Sequence, residues 1–147
     1  MDLQLKGLTA LITGSSRGLG FAAAMALAKE GARVVINARH PDKLSEAASR
    51  IKRETRAEVY PIPGDVTNAT FPAELIAAIQ MSLGNLDILI TNAGGPPSGQ
   101  FESFDDIAWQ KAIDLSFLSQ VRLIRSALPL LKQSQAASVL TVTSYSV

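Results

Sequence analysis

Leu8-Thr9-Ala10-Leu11-Ile12-Thr13-Gly14-Ser15-Ser16-Arg17-Gly18-Leu19-Gly20 decides the fold. A short apolar run stops at Thr13, a glycine-rich turn follows, and an alanine-rich helical pattern runs from Phe21 to Glu30. A strand that turns tightly into a helix leaves backbone N–H groups unpaired at the helix start. Those donors and the helix dipole suit a phosphate. Gly14 permits the tight turn, Gly18 lets a pyrophosphate approach the backbone, and Gly20 lets helix and strand pack closely. Three glycines alone say little. Their position between strand and helix gives them meaning.

Outward from this turn, apolar runs alternate with helical patterns. The sequence predicts strands over Thr9–Thr13, Arg33–Asn37, Glu58–Ile62, Leu86–Thr91 and Ser138–Thr143. It predicts helices over Gly18–Glu30, Asp42–Thr55, Pro72–Leu83 and Phe104–Lys132. Runs such as Val34-Val35-Ile36 and Ile88-Leu89-Ile90 are apolar without alternation, as strands covered on both faces are. Short links between alternating elements imply right-handed crossovers and a parallel sheet, an α/β doubly wound architecture.

The 147 residues suffice for one domain with a core. Apolar residues make up 47% and charged residues 18%, which fits a compact globular chain. A net charge of +1 gives a nucleic-acid partner no electrostatic support. With no cysteine, disulfides and thiolate catalysis are excluded, and a single histidine rules out a histidine-built metal site in one chain. No metal is expected. The apolar run near the N-terminus is too short for a signal peptide or a membrane span, so no membrane partner and a cytoplasmic setting are expected.

The last predicted helix has Ser103 and Asp106 as a capping box, with Asp105 in its first turn. Its apolar positions include Ile107, Ile113, Leu115, Phe117, Val121, Leu123, Ile124, Leu128 and Leu131. That set is too wide for one stripe facing a sheet. The reading is a helix that also packs on another subunit, a homo-oligomer through residues 104–132, or on missing chain, against the plainer reading of a helix buried in its own domain. Trp109 reads as a core anchor without chemistry.

Thr13-Gly14-Ser15-Ser16-Arg17-Gly18-Leu19-Gly20 has the form T-G-x-x-x-G-x-G and resembles the cofactor loop of the short-chain dehydrogenase/reductase family. Asn92-Ala93-Gly94, past the fourth strand, is similar to that family's N-A-G motif, and Asp65-Val66, past the third, to its adenine-contacting pair. The resemblance covers the whole chain and implies a Rossmann fold with strand order 3-2-1-4-5, later strands being absent here. It also implies that the chain is the N-terminal part of one domain of roughly 250 residues. Ends of parallel strands line one crevice, where ligands bind. Asp65 also reads as a turn residue in Gly64-Asp65-Val66-Thr67.

An NAD site wants a carboxylate at the end of the second strand. Here that end reads Ile36-Asn37-Ala38-Arg39-His40, with no acid. Arg39 and Arg17 resemble the NADP-preferring branch, because guanidinium binds phosphate bidentately. Solvated surface arginines are the alternative, and His40 reads as an exposed loop residue.

The family transfers a hydride between nicotinamide and a carbonyl or alcohol carbon. Its tyrosine is the acid or base, with a pKa lowered by a lysine and the cationic nicotinamide. Ser144 matches the serine that holds the substrate oxygen, or is simply a polar strand end. The Y-x-x-x-K pattern is expected about a dozen residues further on, past Val147. Tyr145 is in the wrong place, and Tyr60, at the third strand, is no candidate. Ser116 stands where many members carry an asparagine. That change, with the loop Asn92-Ala93-Gly94-Gly95-Pro96-Pro97, is similar to an atypical subgroup resembling 3-oxoacyl-carrier-protein reductases, with an acyl thioester or other small molecule as substrate. Two other readings share the fold: a non-catalytic NADP-binding sensor or scaffold, and a nucleoside-binding transferase using S-adenosylmethionine.

Overall fold

Residues Thr9–Ile12 are buried along their whole length, and the rest of the chain is layered around them. The computed structural model describes residues 3–144. Its elements are β1 (Thr9–Ile12), α1 (Gly18–Lys29), β2 (Arg33–Ala38), α2 (Pro41–Thr55), β3 (Val59–Pro63), α3 (Phe71–Leu83), β4 (Ile88–Thr91), α4 (Asp106–Ile113), α5 (Ser119–Leu131) and β5 (Ser138–Thr141). The five strands form one parallel sheet in the order β3-β2-β1-β4-β5, the predicted Rossmann arrangement. Leu11 sits between Val35 of β2 and Leu89 of β4.

Successive strand residues face opposite sides of a sheet. Ala10, Ile12, Val34, Ile36, Ile88 and Ile90 face one layer and pack against Ala24, Ala28, Leu44 and Ile51 of α1 and α2. Leu11, Val35 and Leu89 face the other and pack against Leu75, Ile79, Leu123 and Ala127 of α3 and α5. Both faces are covered, which is why these strands lack alternating polarity. Each fully buried Leu or Ile contributes about 1.5–3 kcal/mol. The apolar residues of β5, at the sheet edge, are exposed.

The predicted helix over 104–132 differs from the structure in three ways. It starts at Asp106, after a 3-10 turn over Phe101–Ser103, so Phe104 precedes it. The capping box does not form. Asp105 is the N-cap and accepts from the Ala108 N–H (2.8 Å), while the Ser103 hydroxyl donates to the Gln100 carbonyl (2.6 Å). A wide π turn over Asp114–Leu118 separates α4 from α5. Trp109 is not a core anchor either. It is 44% exposed and packs on Phe101 with the rings tilted by 56° and their centroids 5.6 Å apart. Among the described residues, no helix is long and apolar enough to cross a membrane.

At the end of the sheet where β4 begins, a buried carboxylate ties three segments. Asp87 accepts from the Thr9 N–H (2.8 Å), the Asn85 amide (2.8 Å) and the Ser134 hydroxyl (2.6 Å). Removing it strands a buried backbone donor, which costs more than the bond itself contributes. Asp87→Ala is expected to lower unfolding free energy by on the order of 2–4 kcal/mol, read by urea denaturation. A loss below about 0.5 kcal/mol would show the network to be dispensable.

Candidate functional site

The opposite end of the sheet, where parallel strands stop and helices start, carries the site. Gly14 and Gly18 both adopt a φ of +59°, the left-handed region in which a side chain is strained. A Cβ at Gly14 would lie 2.7 Å from the Asn92 carbonyl oxygen, and one at Gly20 would lie 2.5 Å from that of Gly14. Neither position has room for a side chain. Gly18 is different: no atom lies within 4 Å of where its Cβ would be, and it opens onto the cleft.

Polar side chains at the strand ends hold this turn. The Asn92 amide donates to the carbonyls of Thr13 (3.3 Å) and Gly14 (3.1 Å). The Thr13 hydroxyl donates to the Asn92 carbonyl (2.8 Å) and accepts from its N–H (3.0 Å). Ser15, fully buried, donates to the Ile12 carbonyl (2.7 Å) and accepts from the Asn37 N–H (3.0 Å). The Asn37 amide in turn donates to the carbonyls of Ile62 (2.9 Å) and Gly64 (3.2 Å), fixing the loop after β3. In that loop, one carboxylate oxygen of Asp65 accepts from the N–H and hydroxyl of Thr67 (2.9 and 2.8 Å), so the turn reading of Asp65 holds. Arg122 of α5 reaches the Thr67 carbonyl (3.4 Å) and lies 3.7 Å from Asp114 of the π turn, which registers the helix on this loop.

These contacts enclose a cleft of about 360 Å³. Of the residues predicted from sequence, it brings together Gly14, Ser16, Arg17, Gly18, Leu19, Arg39, Asp65, Val66, Asn92, Ala93 and Gly94. Thr13, Ser15 and Gly20 build the turn from behind and do not line the cleft. The N-cap of α1 is Arg17, and among the described residues α1 has neither a side-chain cap nor an acid in its first turn. Its first N–H groups are therefore directed at whatever occupies the cleft, with the dipole favouring an anion.

Two predicted residues lie apart from these walls. The exposed Ser116 hydroxyl donates to the Ala112 carbonyl of its own helix, and Leu115 takes the cleft wall instead. Ser144 is exposed, three residues past β5, at the same end of the sheet as the cleft. Tyr145 falls outside the described residues. Tyr60 donates to Glu58 (2.5 Å), and that bond raises its phenol above the ordinary tyrosine value, the wrong direction for a base at neutral pH.

The pattern of the short chain dehydrogenase family matches residues 8–146. The chain belongs to this family. An uncharacterized oxidoreductase of Staphylococcus aureus (strain MW2) is 31% identical over 137 residues, 93% of this chain and 58% of that protein. The L-sorbose reductase of Gluconobacter frateurii, solved with NADPH and L-sorbose, superposes with a TM-score of 0.92 at 33% identity, over 96% of this chain and 54% of that one. An NADH-dependent reductase complexed with NAD superposes with a TM-score of 0.90 at 30% identity, over 99% and 62%. The chain thus spans between half and two thirds of the length of these short-chain dehydrogenase relatives.

Sequence reasoning missed Asn37, Ala38, His40, Lys43, Gly64, Gly95 and Leu115, which also line the cleft. Asn37 carried a usable signal: a polar residue ending an apolar strand, the mark that identified Asn92. Gly18→Val places a branched side chain at the open approach point. It is expected to weaken ADP-ribose binding by at least about tenfold in calorimetry. Unchanged affinity in a variant whose melting curve shows a folded state would place the pyrophosphate elsewhere.

Proposed function

We propose that the chain is the coenzyme-binding part of an NADP-dependent oxidoreductase, within a domain of roughly 250 residues. The observation that carries this reading is the pair Arg17 and Arg39 on one cleft, with Asn37 and no carboxylate at the end of β2. The solved relatives hold NADPH in one case and NAD in another, so the choice between them rests on these side chains. Lys43 and His40 of the α2 start line the same cleft and add to its cationic character when charged.

NADPH, when bound, supplies a hydride to a carbonyl carbon. The residues of this chain bind and orient. The first turn of α1 and Gly18 receive the pyrophosphate, Arg17 and Arg39 the 2′-phosphate, and Asp65 with Val66 the adenine. Ser144 holds the substrate oxygen. The substrate class is a carbonyl compound such as a 3-oxoacyl thioester, and the setting is the cytoplasm. One observation favours a second reading, a catalytically degenerate NADP-binding protein: the hydroxyl of Ser116, at the place where many members carry an asparagine, is engaged within its own helix.

Arg39→Asp tests the coenzyme assignment. A charge-assisted hydrogen bond is worth about 1.5–3 kcal/mol, so the NADPH-to-NADH affinity ratio is expected to fall by about ten- to a hundredfold in a fluorescence titration. A constant ratio removes Arg39 from the site.

We also propose a homo-oligomer through the α4–α5 face. Ile113 (45% exposed), Phe117 (63%) and Leu128 (40%) are large apolar side chains left exposed along these two helices. The purified chain is expected to associate in light scattering, and Phe117→Glu to lower its apparent mass. A monomeric unsubstituted chain would count against this interface.

A further inference from the structure

Arg122, in the first turn of α5, does not line the cleft but holds two segments that do. Its Nη1 donates to the Thr67 carbonyl (3.4 Å), next to the cleft residues Asp65 and Val66. Its Nη2 lies 3.7 Å from Asp114, next to the cleft residue Leu115. The side chains of Arg122 and Asp114 are only 26% and 30% exposed, so water and salt screen the pair less than a surface pair. The loop after β3 is thus gripped on either side of Asp65-Val66: at Gly64 by the Asn37 amide (3.2 Å), and at Thr67 by Arg122. Thr67 carries that grip inward. Its N–H and hydroxyl both donate to Oδ1 of Asp65 (2.9 and 2.8 Å). The residue whose carbonyl Arg122 holds is therefore the residue that fixes the carboxylate.

We propose that Arg122 is a positioning residue for base selection: acting through Thr67, it sets the Asp65 carboxylate to accept from the exocyclic amino group of adenine. This deepens the oxidoreductase reading above and rests on its placing of adenine at Asp65 and Val66. An ionised carboxylate only accepts hydrogen bonds. Adenine offers it an amino donor, whereas hypoxanthine carries a carbonyl oxygen at the same ring position and repels it. Selection between the two bases therefore reports how the carboxylate is aimed. Arg122 also ties the turn carrying Leu115 to the same guanidinium, so one side chain spaces the loop wall of the cleft from its helix wall.

The probes are NADPH and its hypoxanthine analogue, deamino-NADPH, titrated by their fluorescence. The parent chain is expected to favour NADPH by about tenfold, the worth of one hydrogen bond to a charged group. Arg122→Met keeps the apolar stem and removes every donor. It is expected to cut that ratio by about threefold, mainly by weakening NADPH. A role in folding alone would weaken both coenzymes together and leave the ratio unmoved. Arg122→Lys keeps a cation beside Asp114 with a single donor group and is expected to give an intermediate ratio. If Arg122→Met does not fold, Arg122→Lys decides: an intermediate ratio supports the proposal and the parent ratio overturns it. In a folded Arg122→Met chain, the parent ratio, or an equal loss for both coenzymes, overturns it. Amide hydrogen exchange gives a reading without coenzyme. The N–H groups of Thr67 and Asn68, held by Asp65, are expected to exchange about threefold faster in Arg122→Met, and unchanged exchange also overturns the proposal. Absence of NADPH binding to the parent chain would defeat the coenzyme reading, while exchange still decides whether Arg122 sets the loop.

Discussion

The site depends on one contact between two strand ends: the Asn92 amide, past β4, donating to the carbonyls of Thr13 and Gly14, past β1. The space for it exists because residues 14 and 20 carry no Cβ. At either position that atom would stand within 3 Å of the Asn92 amide nitrogen. A glycine on the turn, a glycine on the helix and an amide on the neighbouring strand thus meet one steric and hydrogen-bonding condition together. If the amide were lost, two carbonyls at the mouth of the sheet would need new donors. If either glycine gained a side chain, the amide would be displaced. The turn that presents Gly18 and the first N–H groups of α1 is held from behind, and its open side is left for a ligand.

The same construction recurs on the other side of β1. Ser15 is pinned to Asn37, and the Asn37 amide reaches across β2 to the loop after β3. Asp65 is then placed by a polar chain that starts at the first turn. Arg122 closes the ring by joining that loop to α5. Below this rim the sheet is held by apolar packing on both faces. Stability and site geometry are therefore separated along the strand axis: packing fixes the layers, and buried side-chain amides and hydroxyls fix the ends. In a low-dielectric rim such bonds are strong when complete and costly when broken.

Much of this was legible in the residues. Short unbroken apolar runs such as Val34-Val35-Ile36 and Ile88-Leu89-Ile90 gave the strands, and strand–helix alternation gave the parallel order that the pairing of Leu11 with Val35 and Leu89 shows. The cleft walls followed from T-G-x-x-x-G-x-G, Asp65-Val66 and Asn92-Ala93-Gly94. What stayed hidden depended on competition between near-equal local choices. Ser103, Asp105 and Asp106 all suit a helix start, and the choice was made when Ser103 found the Gln100 carbonyl. Asn37 was read for the charge it lacks, not for the two carbonyls its amide holds. Trp109 was read as a core anchor, yet its partner is the exposed ring of Phe101.

The π turn explains why the last helix has apolar residues on too many sides. One extra residue in a helix advances its phase by about 100°. After the turn, Leu123, Ala127 and Leu130 recur every three or four residues and are buried against α3 and the sheet. Before it, α4 buries no residue, and its apolar side chains face the loop after β4 or solvent. A sequence pattern summed over both segments blurs two stripes into one broad band. The break falls at Asp114–Leu118, where Arg122 anchors the helix to the loop carrying Asp65 and Leu115 enters the cleft wall. The wide turn lets one continuous helical rod serve two surfaces: α5 closes the core of the sheet, and α4 faces the loop after β4. A regular helix with this sequence would have to bury one of these faces at the expense of the other.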